Sequence, residues 1–194
     1  MDLSKLTETE LKEALLLKEK LDSFSQQEKC QESFLEYINH MWPEFICGKH
    51  HTIFAEKLEK VAKGEINRLI VNMPPRHTKS EFASTYFPSF IMGLRPNMKI
   101  MQTTHTGELA VRFGRKVRDL IADPVYTEVF PETDLKQDSQ AAGRWETSAG
   151  GEYFAAGVGA AMTGRGADLL IIDDPHSEQD ALSSVAYDHT YEWY

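Results

Sequence analysis

Leu169-Leu170-Ile171-Ile172-Asp173-Asp174 is an apolar run that stops at two adjacent carboxylates. Leu169 to Asp173 reads as a strand, and four large aliphatic side chains in a row suit one buried on both faces. Such strands belong to parallel sheets covered by helices. Paired acids rarely end a buried strand for packing reasons, because like charges there are costly unless a cation compensates. The run therefore predicts an α/β fold, with Mg²⁺ at the first acid and the second orienting or deprotonating water. The plainer alternative is a solvated turn opening at Asp173-Asp174-Pro175.

The preceding hundred residues fit a sheet of that kind. Arg68 to Met73 is a short apolar strand, Glu81 to Met92 a helix, Lys99 to Thr104 a second strand and Gly107 to Ile121 a long helix. Gly143 to Val158, with Gly150-Gly151 in the middle, reads as a β-hairpin across which Trp145 faces Tyr153. Alternating strands and helices predict a parallel sheet flanked by helices.

Upstream the pattern is helical. Residues 1–30 place Leu3, Leu6, Leu11, Leu15 and Leu21 at helical spacing, and Thr7 with Glu10 has the form of a capping box. This stretch reads as an amphipathic helix that packs on the body or frays in solvent, or else docks a partner. A second helix covers Gln31 to Met41 before Trp42-Pro43 breaks it. A third spans Thr52 to Lys63 and stops at Gly64. The expected organisation is a helical segment over residues 1–45 and an α/β domain over residues 46–194.

Between the first strand and its helix lies Met73-Pro74-Pro75-Arg76-His77-Thr78-Lys79-Ser80. A phosphate-binding loop needs exposed backbone N–H groups, a lysine that reaches the β- and γ-phosphates and a hydroxyl for Mg²⁺. Lys79-Ser80 supplies the last two, at a helix start whose dipole favours anions. The usual GxxxxGK[ST] pattern is not met, because Met73 and Thr78 occupy the two glycine positions. Alone, the loop is a weak match to that pattern and reads more readily as a strand-to-helix turn whose Lys-Ser starts a helix. Together with Asp173 and Asp174, in the right order and each at a strand end, it points to an ATPase.

Bulk properties set limits. With 194 residues, 41% hydrophobic, the chain can hold one ordinary α/β core with a helical appendage. Cys30 and Cys47 lie far apart without CxxC spacing, which argues against a disulfide framework or zinc ribbon. No apolar run has membrane-spanning length and no signal sequence opens the chain, so a soluble intracellular protein is expected. A net charge of −9 argues against a dedicated DNA-binding domain. It is compatible with an enzyme that grips DNA only as a ring.

"RLIVNMPPRHTKSE" followed by "GRGADLLIIDDP" resembles the large terminase subunits of tailed bacteriophages, over about Glu44 to Pro175. That family tolerates non-glycine residues in its phosphate loop and places an arginine there. The resemblance implies a P-loop ATPase of the additional-strand class that uses ATP and Mg²⁺ to translocate double-stranded DNA. In relatives it is fused to a C-terminal nuclease, which this chain lacks. Partners implied are the portal protein, the small terminase subunit and further copies in a ring on the procapsid, with no membrane. The implied location is the cytoplasm of an infected bacterial host, outside the mature virion.

By this resemblance Pro75, Arg76, His77, Thr78, Lys79 and Ser80 bind the nucleotide, and Arg76 touches the γ-phosphate. Ser80 and Asp173 hold Mg²⁺. Asp174 stands where the family usually has a catalytic glutamate, one methylene longer. Arg165, between Gly164 and Gly166, resembles the arginine that acts on a neighbouring subunit's ATP. A sensor strand between the phosphate-loop strand and the acid strand is expected to be missing, leaving the sheet incomplete. Gln102 to His105 ends the second strand either as a sensor or as a capped turn. His50 and His51, expected just ahead of the third helix, fall where adenine-contacting residues sit. A helicase-like ATPase and a nucleotide-binding module without turnover remain the alternative readings.

Overall fold

The computed structural model describes residues 7–160, 164–177 and 180–193. The helices are α1 (Glu8–Glu32), α2 (Phe34–Met41), α3 (Lys49–Ala62), α4 (Phe87–Leu94), α5 (Gly107–Ile121), α6 (Pro124–Val129) and α7 (Ser184–Trp193). The strands are β1 (Lys99–Thr104), β2 (Leu135–Ala141), β3 (Arg144–Thr147), β4 (Glu152–Gly157) and β5 (Leu169–Ile172). They form one sheet in the order β2-β3-β4-β1-β5.

The class is α/β, with helices flanking one sheet, but the sheet is mixed rather than parallel. β4, β1 and β5 run parallel, while β2 and β3 are antiparallel additions on the β4 side. The cause is the hairpin: β3 returns into β4 through a tight turn at Gly150, whose φ of 87° is open to glycine at little cost. Trp145 pairs with Tyr153 as expected, the rings stacked at 4.9 Å and 3°. Both are buried, and the Trp145 indole N–H donates to the Gly114 carbonyl of α5 at 3.0 Å. β2 was not expected, because its sequence LKQDSQA has too few apolar residues to declare a strand.

A second correction concerns Arg68 to Met73, which takes no place in the sheet. Leu69, Val71 and Met73 pack against the core while Ile70 is 88% exposed, so the run keeps an alternating pattern without a ladder. β5 is an edge strand, and it is not buried on both faces as its apolar run predicts, because Leu170 and Ile172 are exposed. Apolar alternation supplies a face to bury, but a strand also needs a neighbour for its N–H and C=O groups.

α5 lays Ala110, Phe113, Gly114, Val117 and Ile121 inward. Its N-cap, Thr106, accepts from the Leu109 N–H. An aromatic cluster ties the N-terminal helices to the body: Phe34 and Tyr37 of α2 lie against Phe82, Phe87, Phe90 and Phe130. α1 docks mainly through its C-terminal turns, where Gln27 and Gln31 donate to the Val129 carbonyl. Its leucines 11, 15 and 21 are exposed, so the expected apolar stripe is largely unused. Leu3 and Leu6, Thr163 of the arginine loop and Tyr194 lie outside the described residues.

Candidate functional site

Asp173 and Asp174 follow β5 at the carboxyl end of the parallel strands, where α/β sheets place their ligands. The Asp173 N–H donates to the Thr103 carbonyl at 2.9 Å, which carries the ladder one residue past β5. Its side chain is only 5% exposed, whereas that of Asp174 is 64% exposed. Asp174 turns away through a left-handed backbone, φ 45°, and its carbonyl accepts from the N–H and ring Nδ1–H of His105, each at 3.2 Å. One acid is thus held in the interior and the other is aimed at solvent.

The cation set beside these two acids is Lys79. Its Nζ lies 3.1 Å from Asp173 Oδ1 and also hydrogen-bonds Asp174 Oδ1. Burial alone would lower the pKa of this ammonium, but its bonds to Asp174 and Asp173 outweigh burial and raise it above the ordinary lysine value. Lys79 is therefore charged at neutral pH. Residues 95 apart in sequence meet because loop and acids both lie at the same end of the sheet.

Ser84 completes the buried acid's coordination, donating from Oγ to Asp173 Oδ2 at 2.8 Å inside the protein. The helix that starts at Lys79 is a π-helix from Glu81 to Tyr86, with the Phe87 N–H donating to the Phe82 carbonyl five residues back. That wider turn brings residue i over i+5. Lys79 and Ser84 are five apart and both reach Asp173. π-turns of this kind are frequently found at functional sites.

The loop ahead of Lys79 is left-handed twice without glycine. Arg76 has φ 63° and Thr78 φ 59°. With Asp174 they are the three non-glycine residues of positive φ among the described residues, and all three belong to this site. Such conformations cost of order 1–3 kcal/mol each and persist only where surroundings enforce them. Thr78 occupies the second-glycine position of the loop pattern, so the backbone adopts a glycine-like conformation where glycine is missing.

One side chain of α3, His51, holds Thr78 there. The Gly48 N–H donates to His51 Nδ1 at 2.8 Å, which leaves the ring proton on Nε2. That Nε2–H donates to Thr78 Oγ1 at 2.7 Å, and Thr78 Oγ1 donates to the His77 carbonyl at 2.7 Å. The His51 ring is buried between Phe82 and Phe45, with centroids 5.2 and 4.8 Å away. Burial first, then the neighbouring His50 and His77, lower its pKa. His50 and His51 are not ahead of the third helix but within its first turn, because the helix begins at Lys49.

The structure therefore brings Lys79 to Asp173 and Asp174. Thr78 and Ser80 flank Lys79 and are half-buried, and Pro75, Arg76 and His77 are exposed along the loop. Arg165 is not brought to this cluster. It sits at the opposite end of the sheet, pairing with Glu152 at 3.1 Å and lying 4.2 Å over the Phe154 ring. Glu152 opens β4 and also binds Arg144 at 2.9 Å. Two contributors escaped the sequence reading. Ser84 could have been found, with Thr85, as one of two small hydroxyl residues in the FASTYF stretch, whereas His51 read as an adenine contact or a metal ligand.

No metal-binding group of three or more His, Cys, Asp or Glu occurs among the described residues, nor does a helix long and apolar enough to cross a membrane. No protein-family profile, curated protein or solved structure matches this chain.

Proposed function

We propose that this chain is the ATP-hydrolysing part of a viral DNA-packaging motor, similar to large terminase subunits and built on the additional-strand P-loop plan. One observation carries the reading: Lys79, from the loop, is placed between Asp173 and Asp174 at the carboxyl end of the sheet. A plain turn lysine has no reason to bridge a buried and an exposed acid on a distant strand. P-loop ATPases need these groups together, since the lysine neutralises phosphate charge beside the acid that holds the metal.

The donor set fits Mg²⁺, which prefers hard oxygen ligands and one or two carboxylates beside substrate phosphates. Ser80 and Asp173 would hold it, and bound there it would neutralise charge on the β- and γ-phosphates. The remaining roles belong to the chain's own groups. Lys79 exchanges its carboxylate partners for phosphate oxygens when nucleotide enters. Pro75 to Ser80 cradles the phosphates, with Arg76 at the γ-phosphate. Asp174, exposed and set apart from Asp173, takes the proton of the attacking water. Arg165 serves a neighbouring subunit's site. In this reading the motor works as a ring with portal protein and small terminase subunit in the infected host's cytoplasm, gripping double-stranded DNA jointly.

Titration with a non-hydrolysable ATP analogue, with and without Mg²⁺, tests the reading. Saturable Mg²⁺-dependent binding that Lys79→Ala removes is expected. Binding that ignores both Mg²⁺ and the lysine would overturn it.

A further inference from the structure

We infer that His51 is the positioning residue of the phosphate loop, replacing by a hydrogen bond the conformational freedom that glycine would give at Thr78. The inference rests on the phosphate-loop reading of residues 75–80. It does not follow from the loop pattern, because His51 lies 27 residues upstream on another element.

The argument begins with Thr78. A β-branched residue at φ 59° is a steric outlier, because Cβ crowds the backbone on that side. Left alone, the loop would relax toward negative φ and re-aim the N–H groups of Thr78 and Lys79. Two bonds oppose that relaxation, and both end on the Thr78 hydroxyl: His51 Nε2–H donates to it, and it donates to the His77 carbonyl. A threonine thus supplies the handle by which its own strained backbone is held, and glycine or alanine would have none.

His51 is suited to be the fixed end. Its other nitrogen accepts from the Gly48 N–H at the start of α3, its ring stacks on Phe82 with Phe45 edge-on and His50 3.8 Å away, and it is buried. Phe82 lies on the helix that begins at Lys79, so the ring touches both the loop's first anchor and its exit. Ring orientation, tautomer and reach are all set before any ligand arrives. Such preorganisation lowers the ordering cost of binding.

A double-mutant cycle tests this. His51→Phe keeps the aromatic packing and removes only the hydrogen bonds. In the otherwise unchanged protein it should weaken Mg²⁺-dependent binding of a non-hydrolysable ATP analogue about tenfold, the scale of one net hydrogen bond plus released strain. In the Thr78→Gly background the same change should alter affinity by less than about twofold, since glycine holds positive φ unaided. Equal losses in both backgrounds, or no loss in either, would overturn the inference. If the unchanged protein binds no nucleotide, the functional reading fails instead. The same cycle read by Tm then decides: His51→Phe must lower Tm more with Thr78 present than in the Thr78→Gly background, where only the Gly48 bond is lost.

Discussion

Two loops present an arginine, and they lie at opposite ends of the sheet. The loop of Arg76 has no glycine between Pro75 and Ser80, takes left-handed backbone at Arg76 and Thr78, and is tied to α3 through His51. The loop of Arg165 has Gly164, with φ 82°, on one side and Gly166 on the other. Its arginine rests on Glu152 and Phe154 by contacts half-open to solvent. An exposed ion pair contributes about 0.2–1 kcal/mol and an exposed cation–π contact a similar amount. One loop is held in place by several buried partners, whereas the other can be redirected at small cost. In the proposed motor that contrast separates a preformed nucleotide site from an arm that another subunit's nucleotide can recruit.

The widest effect expected is at the fixed end. Lys79→Ala should abolish ATP turnover in the assembled protein and take nucleotide binding with it. The loss also leaves Asp173, 5% exposed, without its cation, at a cost of about 1–3 kcal/mol. A combined turnover and thermal-melting measurement sees both. Wild-type turnover in this variant would remove Lys79 from the site altogether.

Next in size is the movable end. Arg165→Ala should bind nucleotide nearly normally yet hydrolyse it about 10³–10⁵ times more slowly, the range for an arginine acting in trans. Mixing this variant with Lys79→Ala protein should restore part of the turnover, because mixed interfaces can pair an intact loop with an intact arginine. If mixing restores nothing while rings still assemble, Arg165 does not act across subunits, and its place on Glu152 is structural.

The same contrast shows what could be read from the sequence. β1, α5, the hairpin and β5 were legible because each carries its own period and local stop signals, and the acid pair marked the end of the sheet where Lys79 meets it. Arg68 to Met73 misled because pairing depends on a neighbouring strand, which no local pattern encodes. β2 stayed hidden for the converse reason: a polar segment is drawn into the sheet by β3, with Lys136 bonding Glu146 at 2.9 Å. Ser84 and His51 were missed as parts of the site because each acts at long range. Ser84 depends on the π-turn's offset of five, and His51 on the fold of α3 beside the loop.

Of smaller expected size is the division of labour between the acids. Asp174→Asn should leave Mg²⁺-dependent binding intact and slow hydrolysis about 10²–10⁴-fold, the usual span for loss of a general base. Asp173→Asn should instead weaken Mg²⁺-dependent binding. Isothermal titration beside turnover distinguishes the two, and the reverse pattern would mean that the buried acid handles water and the exposed one metal. Ser84→Ala should resemble a mild Asp173 change, since it removes one donor to that carboxylate and leaves Lys79 in place.

The smallest effect expected is on pH dependence, and it bears on why the fixed loop is fixed. His51 accepts from Gly48 N–H and donates to Thr78, a pattern open only to the neutral ring. Its pKa is lowered from 6.5 by burial first and by His50 and His77 next. The folded protein therefore binds fewer protons than the unfolded chain just below pH 6.5, and stability must rise with pH there. The contribution is complete above about 6.5 and is lost as pH falls through the depressed folded value. Protonation would place a second donor against the Gly48 N–H, so loss of that bond accompanies loss of stability. Melting temperatures from pH 7.5 to 5.5 should consequently fall more steeply for the unchanged protein than for His51→Phe. Identical slopes would show that His51 is not held neutral by the fold, and the hydrogen-bond chain to Thr78 would need another donor.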